Sequence, residues 1–280
     1  MMHILENEAI RLEVSSLGAE LKRVVAHDKE RLWAGNEPWQ RSSPVLFPVV
    51  GRCFEDQLRI NGQRQPMSQH GFARDMEFEV VERLDGLKLT LKDSEATRKH
   101  YPFAFELSIG YSLLADGFQV EYDIFNPNGK PLPFSIGAHP GFVLEDKDWT
   151  EYTLEFNVKE NADRHLLRDG CFDKRKEASL VEGELALKLQ DFEKDAIVYM
   201  NLESDEVVLK QGNKNVLKME FEGFPHFGIW TKAGCRDFIC LEPWLGHADY
   251  VGFNQSIESK AGIQILQSGE KKSLSWKVRF

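Results

Sequence analysis

The chain has 280 residues, 42% hydrophobic and 29% charged, with a formal net charge of −10. That balance supports a full buried core and excludes a disordered segment, and the length fits one large all-β unit, so a single domain over residues 1–280 is expected. The acidic surplus repels nucleic acid and anionic lipid, so neither nucleic acid nor a membrane is expected as a partner.

The N-terminus, Met1-Met2-His3-Ile4-Leu5, lacks a basic region leading into an apolar run, and no apolar stretch approaches spanning length; the expectation is a cytoplasmic protein. From Ile10, the apolar residues Ile10, Leu12 and Val14 alternate with polar neighbours, and small residues from Ser15 to Ala19 predict a tight bend into a second strand. Trp33, Trp39, Pro44, Leu46, Phe47 and Pro48 follow without a period and predict a long loop leading to Val49-Val50-Gly51-Arg52. Asn61-Gly62, Asp85-Gly86, Asp116-Gly117 and Asn128-Gly129 each carry the dipeptide of a two-residue hairpin turn. Between them lie period-two runs: Met76, Phe78 and Val80, then Leu87, Leu89 and Leu91. Phe103 to Tyr111 continues the alternation, and Phe118, Val120, Tyr122 and Ile124 answer it as a long antiparallel hairpin.

After His139 the chain becomes more charged, and from Asn161 to Glu184 it shows no clean period, which predicts an excursion of loops and short strands. Strand patterns resume at Ala196, Val198 and Met200, at Val207 and Leu209, at Leu217, Met219 and Phe221, and at Leu274, Trp276 and Val278. Helical spacing is confined to one turn near Ser94 to Lys99, so the class is all-β, with two large packed sheets.

The four cysteines, Cys53, Cys171, Cys235 and Cys240, form no C-x-x-C pair and no zinc spacing, so reduced thiols and no metal are expected. There is no G-x-x-x-x-G-K-S/T, no G-x-S-x-G and no H-E-x-x-H, which removes nucleotide, serine-hydrolase and zinc-protease readings. What remains is a set of ionisable residues among Gly, Pro and aromatics: Arg52, His70, Arg74, His139 and Glu242. Two histidines and a carboxylate suffice for an acid-base site.

Four segments carry a resemblance. Val45-Leu46-Phe47-Pro48-Val49-Val50-Gly51-Arg52, Gln69-His70-Gly71-Phe72-Ala73-Arg74-Asp75, Gly137-Ala138-His139-Pro140-Gly141-Phe142 and Leu241-Glu242-Pro243-Trp244 resemble, in order, the motifs of the aldose 1-epimerase (mutarotase) superfamily. The similarity is greatest to its bacterial branch named after the lactose-operon protein X, and it runs from near Ile10 to the C-terminus. The resemblance implies a galactose mutarotase-like β-supersandwich with a sugar cleft on one concave face. It also implies that His139 is the general acid, that Glu242 is the general base, and that His70 hydrogen-bonds the sugar. Arg52 would hold sugar hydroxyls, and Asp195 resembles a substrate-binding aspartate. No cofactor is implied; the partner is a small-molecule sugar, an aldohexose or a sugar phosphate.

The chemistry fits these residue types. Anomers interconvert when O1 loses a proton while the ring oxygen O5 gains one, opening the ring. A carboxylate is ionised at neutral pH, and a histidine donates if a neighbouring negative charge keeps it protonated. Phe72, Phe142, Trp230 and Trp244 are candidates to face the sugar ring or to fill the core. His226 and His247 read as peripheral, with His247 near enough to Glu242 in sequence to line the cleft. Arg74 keeps a second enzyme open, because the segment also resembles hexose-6-phosphate 1-epimerases, in which arginines hold phosphate; the plainer role is an ion pair with Asp75 or Glu77. A carbohydrate-binding or sensor protein without catalysis is the alternative of a different class.

Overall fold

The computed structural model describes residues 1–83 and 86–280. Among the described residues the largest sheet has nine strands, all paired antiparallel. Its spatial order is Glu184–Ala186, Tyr152–Phe156, Glu206–Gln211, Lys214–Glu220, Lys271–Arg279, Gly117–Phe125, Glu106–Leu113, Gly86–Lys92 and Glu79–Arg83. The period-two runs explain it. Ile109 faces Tyr122 and Tyr111 faces Val120 across one ladder, and Val120 faces Trp276 across the next, so one apolar face is continuous from strand to strand. The C-terminal strand is the bridge between the two halves of this sheet, pairing with Gly117–Phe125 on one side and Lys214–Glu220 on the other.

A second antiparallel sheet holds Ile197–Met200, His226–Trp230, Phe238–Leu245, Ile136–Ala138 and Val45–Leu46, with Gly141–Val143 also paired to Phe238–Leu245. Every residue of Phe238–Leu245 is buried. Alternation divides them: Ile239, Leu241 and Leu245 join the main core cluster, which contains residues from Ile10 to Val278, while Phe238, Cys240 and Trp244 fall in two smaller clusters apart from it. Glycines on both flanking strands let Trp244 lie across the sheet. A Cβ at Gly137 would sit 2.7 Å from its Cδ1, and one at Gly228 would sit 2.6 Å from its Cζ2.

Several expectations change on contact with the fold. Asn61-Gly62 does turn the hairpin Gln57–Ile60 to Gln63–Pro66, with φ of 51° and 76°. Asp116-Gly117 does not make a two-residue turn, because Gly117 already begins its strand and the reversal closes through Leu114 N–H to Gly117 O at 2.9 Å. Asn128-Gly129 makes no hairpin: it links Gly117–Phe125 to Leu132–Phe134 in another sheet, and Asn128 Oδ1 instead accepts from Ala104 N–H at 2.9 Å. The Asp85-Gly86 turn falls on Leu84 and Asp85, which lie outside the described residues. Residues 161–184, expected as loops and short strands, form one long hairpin, Ala162–Arg168 with Cys171–Leu180, turned by Asp169-Gly170 at φ 53° and 75°. Its register slips at Ala162/Asp163 and again between His165 and Leu167, and those irregularities erase the two-residue period that would have announced the strands. The single helical turn is real: Ser94 caps Glu95–Arg98 through a reciprocal bond with Thr97.

Candidate active site

The Glu242–Trp244 end of the even-numbered face of Phe238–Leu245 opens on a cavity of about 410 Å³, a size typical of small-molecule sites. Glu242 and Trp244 form part of its wall. His139 enters from the turn between Ile136–Ala138 and Gly141–Val143, both paired to that same strand, so sheet pairing brings it to Glu242 across a hundred residues of sequence. His139 Nε2 lies 3.3 Å from Glu242 Oε2. The indole of Trp39 stacks on the His139 ring at 5.0 Å and 28°, while Trp230 and His70 meet it edge-on at 5.6 Å and 5.5 Å.

His70 sits at φ 68°, in the left-handed region, and is held there from three sides. Its N–H donates to Gly51 O at 2.9 Å, its carbonyl accepts from Phe47 N–H at 3.2 Å, and its Nδ1 accepts from Gly51 N–H at 3.2 Å. An acceptor at Nδ1 puts the proton of the neutral ring on Nε2, the atom that faces the Gln69 side chain.

Burial governs the charges. His139 is pushed down to about 3, by burial first and then by the positive charges of Arg74 and Arg41. His70 lies well below its ordinary value for the same first reason, reinforced by His139, Arg74 and Arg41. Glu242, 1% exposed, is driven well above the carboxylate range by burial; Trp244 favours its charged form and Asp195 opposes it. Glu242 Oε2, His139 Nδ1 and Trp244 Nε1 are all buried without a hydrogen-bond partner in the protein. Burial thus disfavours the charged form of both groups, the imidazolium of His139 and the carboxylate of Glu242. Burial, rather than a neighbouring negative charge, sets the direction of the His139 shift.

Arg52, His70, Arg74, His139, Asp195 and Glu242 all line this one cavity. Arg52 is held in a fixed position at the rim, with one N–H each on Nη1 and Nη2 left over for a ligand. Its Nε and Nη2 both donate to Asp56 at 2.7 Å and its Nη1 donates to Asp169 O at 2.9 Å, which ties the tip of the 162–180 hairpin to the cavity rim. Arg74 is held by fewer bonds. Its Nη2 donates to Gln69 O at 2.6 Å, but Nε is 3.8 Å from Asp75 and has no hydrogen bond, because Asp75 is engaged by Arg41 at 2.7 Å. Glu77 is turned away to Ser16. Burial and Arg41 bring the Arg74 guanidinium down to about 10. Asp195 is raised by burial and accepts from Ala196 N–H at 2.8 Å.

Of the four aromatics named from sequence, Trp230 and Trp244 line the cavity, whereas Phe142 is core and Phe72 packs against it. His226 and His247 meet edge-on at 5.1 Å and are not part of the cavity wall. The sequence reading missed Trp39, Gln69, Lys232 and, from the hairpin, Leu167 and Phe172. Gln69 adjoins a named motif and was within reach of local reasoning. Trp39 and the hairpin residues reach the site through long-range packing and carry no local signal.

Comparison with known proteins agrees with this architecture. The family model described as Aldose 1-epimerase matches residues 1–274. Protein LacX, plasmid, of Lactococcus lactis subsp. lactis is 29% identical over 276 residues, covering 92% of each chain. A galactose mutarotase related enzyme from Lactobacillus acidophilus has a crystal structure that superposes with a TM-score of 0.93 at 30% identity, covering 100% of this chain and 97% of that one. A galactose mutarotase-like protein from Lactobacillus casei gives 0.94 at 28% identity, covering 100% and 99%. With a galactose mutarotase-like fold, an ordered set of motif residues on one cavity and a family match along nearly its whole length, the chain belongs to the aldose 1-epimerase family.

Proposed function

We propose that this protein is a cofactor-independent aldose 1-epimerase that interconverts the α and β anomers of a sugar, with His139 and Glu242 as its acid-base pair. The observation that carries the reading is the buried contact of 3.3 Å between those two groups at the wall of a sugar-sized cavity, with His70 against the same imidazole. Burial by itself favours the neutral form of each group. A sugar that donates its O1–H to the Glu242 carboxylate and accepts at O5 from His139 supplies a hydrogen bond to each charged form, which favours the ion pair that burial alone disfavours. Glu242 then takes the O1 proton as C1=O forms, the C1–O5 bond breaks, and its electron pair takes the His139 proton to leave O5 as a hydroxyl. Rotation about C1–C2 presents the other carbonyl face, and the reverse transfers reclose the ring and restore the pair. His70, with Nε2–H available, is placed to steady O5, and Asp195 is the acceptor for a sugar hydroxyl.

A second reading, a hexose-6-phosphate 1-epimerase, rests on one observation: Arg74 lines the cavity with a buried Nε that has no hydrogen-bond partner. Anomer exchange measured by NMR on freshly dissolved α-D-glucose, α-D-galactose and glucose 6-phosphate decides between them. Acceleration of a free sugar, abolished in His139→Ala, supports the first; acceleration confined to the phosphate supports the second. Tight binding of a sugar without any acceleration would overturn both in favour of a sensor.

A further inference from the structure

The strand that presents Glu242 also presents Cys240, two residues earlier on the same face, and His139 lies against both. One ligating atom from each of the three residues lies within 4.8 Å of the other two, and all three residues are buried. The histidine is 8% exposed and the glutamate 1%. Each also brings a buried polar atom, His139 Nδ1 and Glu242 Oε2, that no protein group satisfies. Such orphans are uncommon in folded proteins. Here the Glu242 orphan lies 3.3 Å from His139 Nε2, and both residues adjoin a thiol.

We propose that Cys240, His139 and Glu242 form a binding site for a thiophilic divalent cation of the zinc class, with the fourth coordination position open to the cavity. Thiolate, imidazole and carboxylate are the donor types that zinc takes, at about 2.3, 2.0–2.1 and 2.0–2.2 Å. Those lengths at tetrahedral angles put the donor atoms roughly 3.3–3.6 Å apart. The His139–Glu242 edge already measures 3.3 Å, and the edges to sulfur lie within 4.8 Å. A cation there satisfies the carboxylate oxygen left without a partner, and zinc and cobalt both suit a mixed sulfur, nitrogen and oxygen set. The arrangement is absent from sequence spacing because Cys-x-Glu on a strand is not a zinc pair and the third ligand is a hundred residues away. Occupancy removes both members of the acid-base pair, so the cation is an inhibitor. That consequence rests on the epimerase reading; the binding does not.

Titration of the reduced, full-length protein with Co²⁺ tests the site directly. The expected result is one equivalent bound with a thiolate-to-cobalt charge-transfer band in the near ultraviolet and visible bands of tetrahedral intensity, all displaced by Zn²⁺. In Cys240→Ser the charge-transfer band should vanish and Co²⁺ affinity should fall at least about 10²-fold, since losing even an outer partner costs 10–100-fold; Cys53→Ser and Cys235→Ser should keep the band. Absence of the band in the wild-type protein, or its persistence in Cys240→Ser, would overturn the proposal. With a turned-over sugar in hand, Zn²⁺ should inhibit the wild-type protein at the concentrations that displace cobalt, and Cys240→Ser should need at least about 10²-fold more. If no sugar is turned over, the cobalt spectrum still decides the metal site, so the two failures are told apart.

Discussion

Glu242→Gln separates what the carboxyl group does for turnover from what it does to stability. In the fold the group is 1% exposed and burial holds its pKa well above the ordinary 4.5. A raised folded pKa means that the native state binds a proton the unfolded chain has already lost. The stabilisation is complete below 4.5 and disappears as pH rises toward the folded value. At about 1.4 kcal/mol per pH unit, the interval from 4.5 to 7 caps the loss at about 3 kcal/mol, however far the folded pKa is raised. Glutamine keeps the shape and does not titrate. Urea unfolding should therefore find Glu242→Gln more stable than the wild type by up to about 3 kcal/mol at pH 7 and by less than about 1 kcal/mol at pH 5. Anomer exchange should fall by about 10² or more in the same variant. An equal stability difference at the two pH values would refute the burial argument, and near-normal turnover would remove Glu242 from the role of base.

Three further outcomes are expected. Lys260 and Asp249 form an ion pair with both side chains 2% exposed, and Asp249 also accepts from Phe54 N–H at 2.8 Å, which braces the segment that carries Arg52. Lys260→Met strands that carboxylate and should cost about 3–5 kcal/mol in urea unfolding, with a loss under about 1 kcal/mol counting against the pair. Burial drives His226 down to about 3 and His247 to about 4, so their contribution is intact above pH 6.5 and is lost as pH falls toward those values. Between pH 6.5 and pH 5 that amounts to about 2 kcal/mol for each; His226→Asn should reduce the acid sensitivity of unfolding by that amount, and an unchanged pH slope would contradict it. Arg52→Gln releases the hairpin tip at Asp169 from the rim, so amide exchange at residues 168–171 should quicken and KM should rise more than kcat falls. Unaltered exchange there would mean that the tip is held by packing alone.

Burial and neighbouring charge act in the same direction on His139 and on Glu242. Trp39, Trp230 and Trp244 surround His139 and Glu242 with apolar surface, and every cation that reaches His139 through space, Arg74 and Arg41, lowers it further. An acid-base pair 3.3 Å apart serves proton transfer in either direction, as the proposed anomer exchange requires, since ring opening and reclosure run the same two transfers in reverse.

The amino-acid sequence by itself determined the class of the fold wherever pairing was regular. Phe103 to Ile124 and Leu274 to Val278 alternate because each strand buries one face, and a two-residue period is visible in any such stretch. It also marked Arg52, His70, Arg74, His139 and Glu242, because an ionisable group held close to other backbone requires Gly, Pro and aromatics beside it, and those neighbours are local. Tertiary structure alone decided the rest. Bulges concealed the hairpin at 162–180, and only pairing between segments a hundred residues apart placed His139 on Glu242 and Cys240 beneath them. Whether Arg52 or Arg74 keeps free donors depends on Asp56, Asp75, Arg41 and Asp169, and the protonation of the central pair depends on burial. Both are properties of the assembled surroundings, which no local pattern of residues encodes.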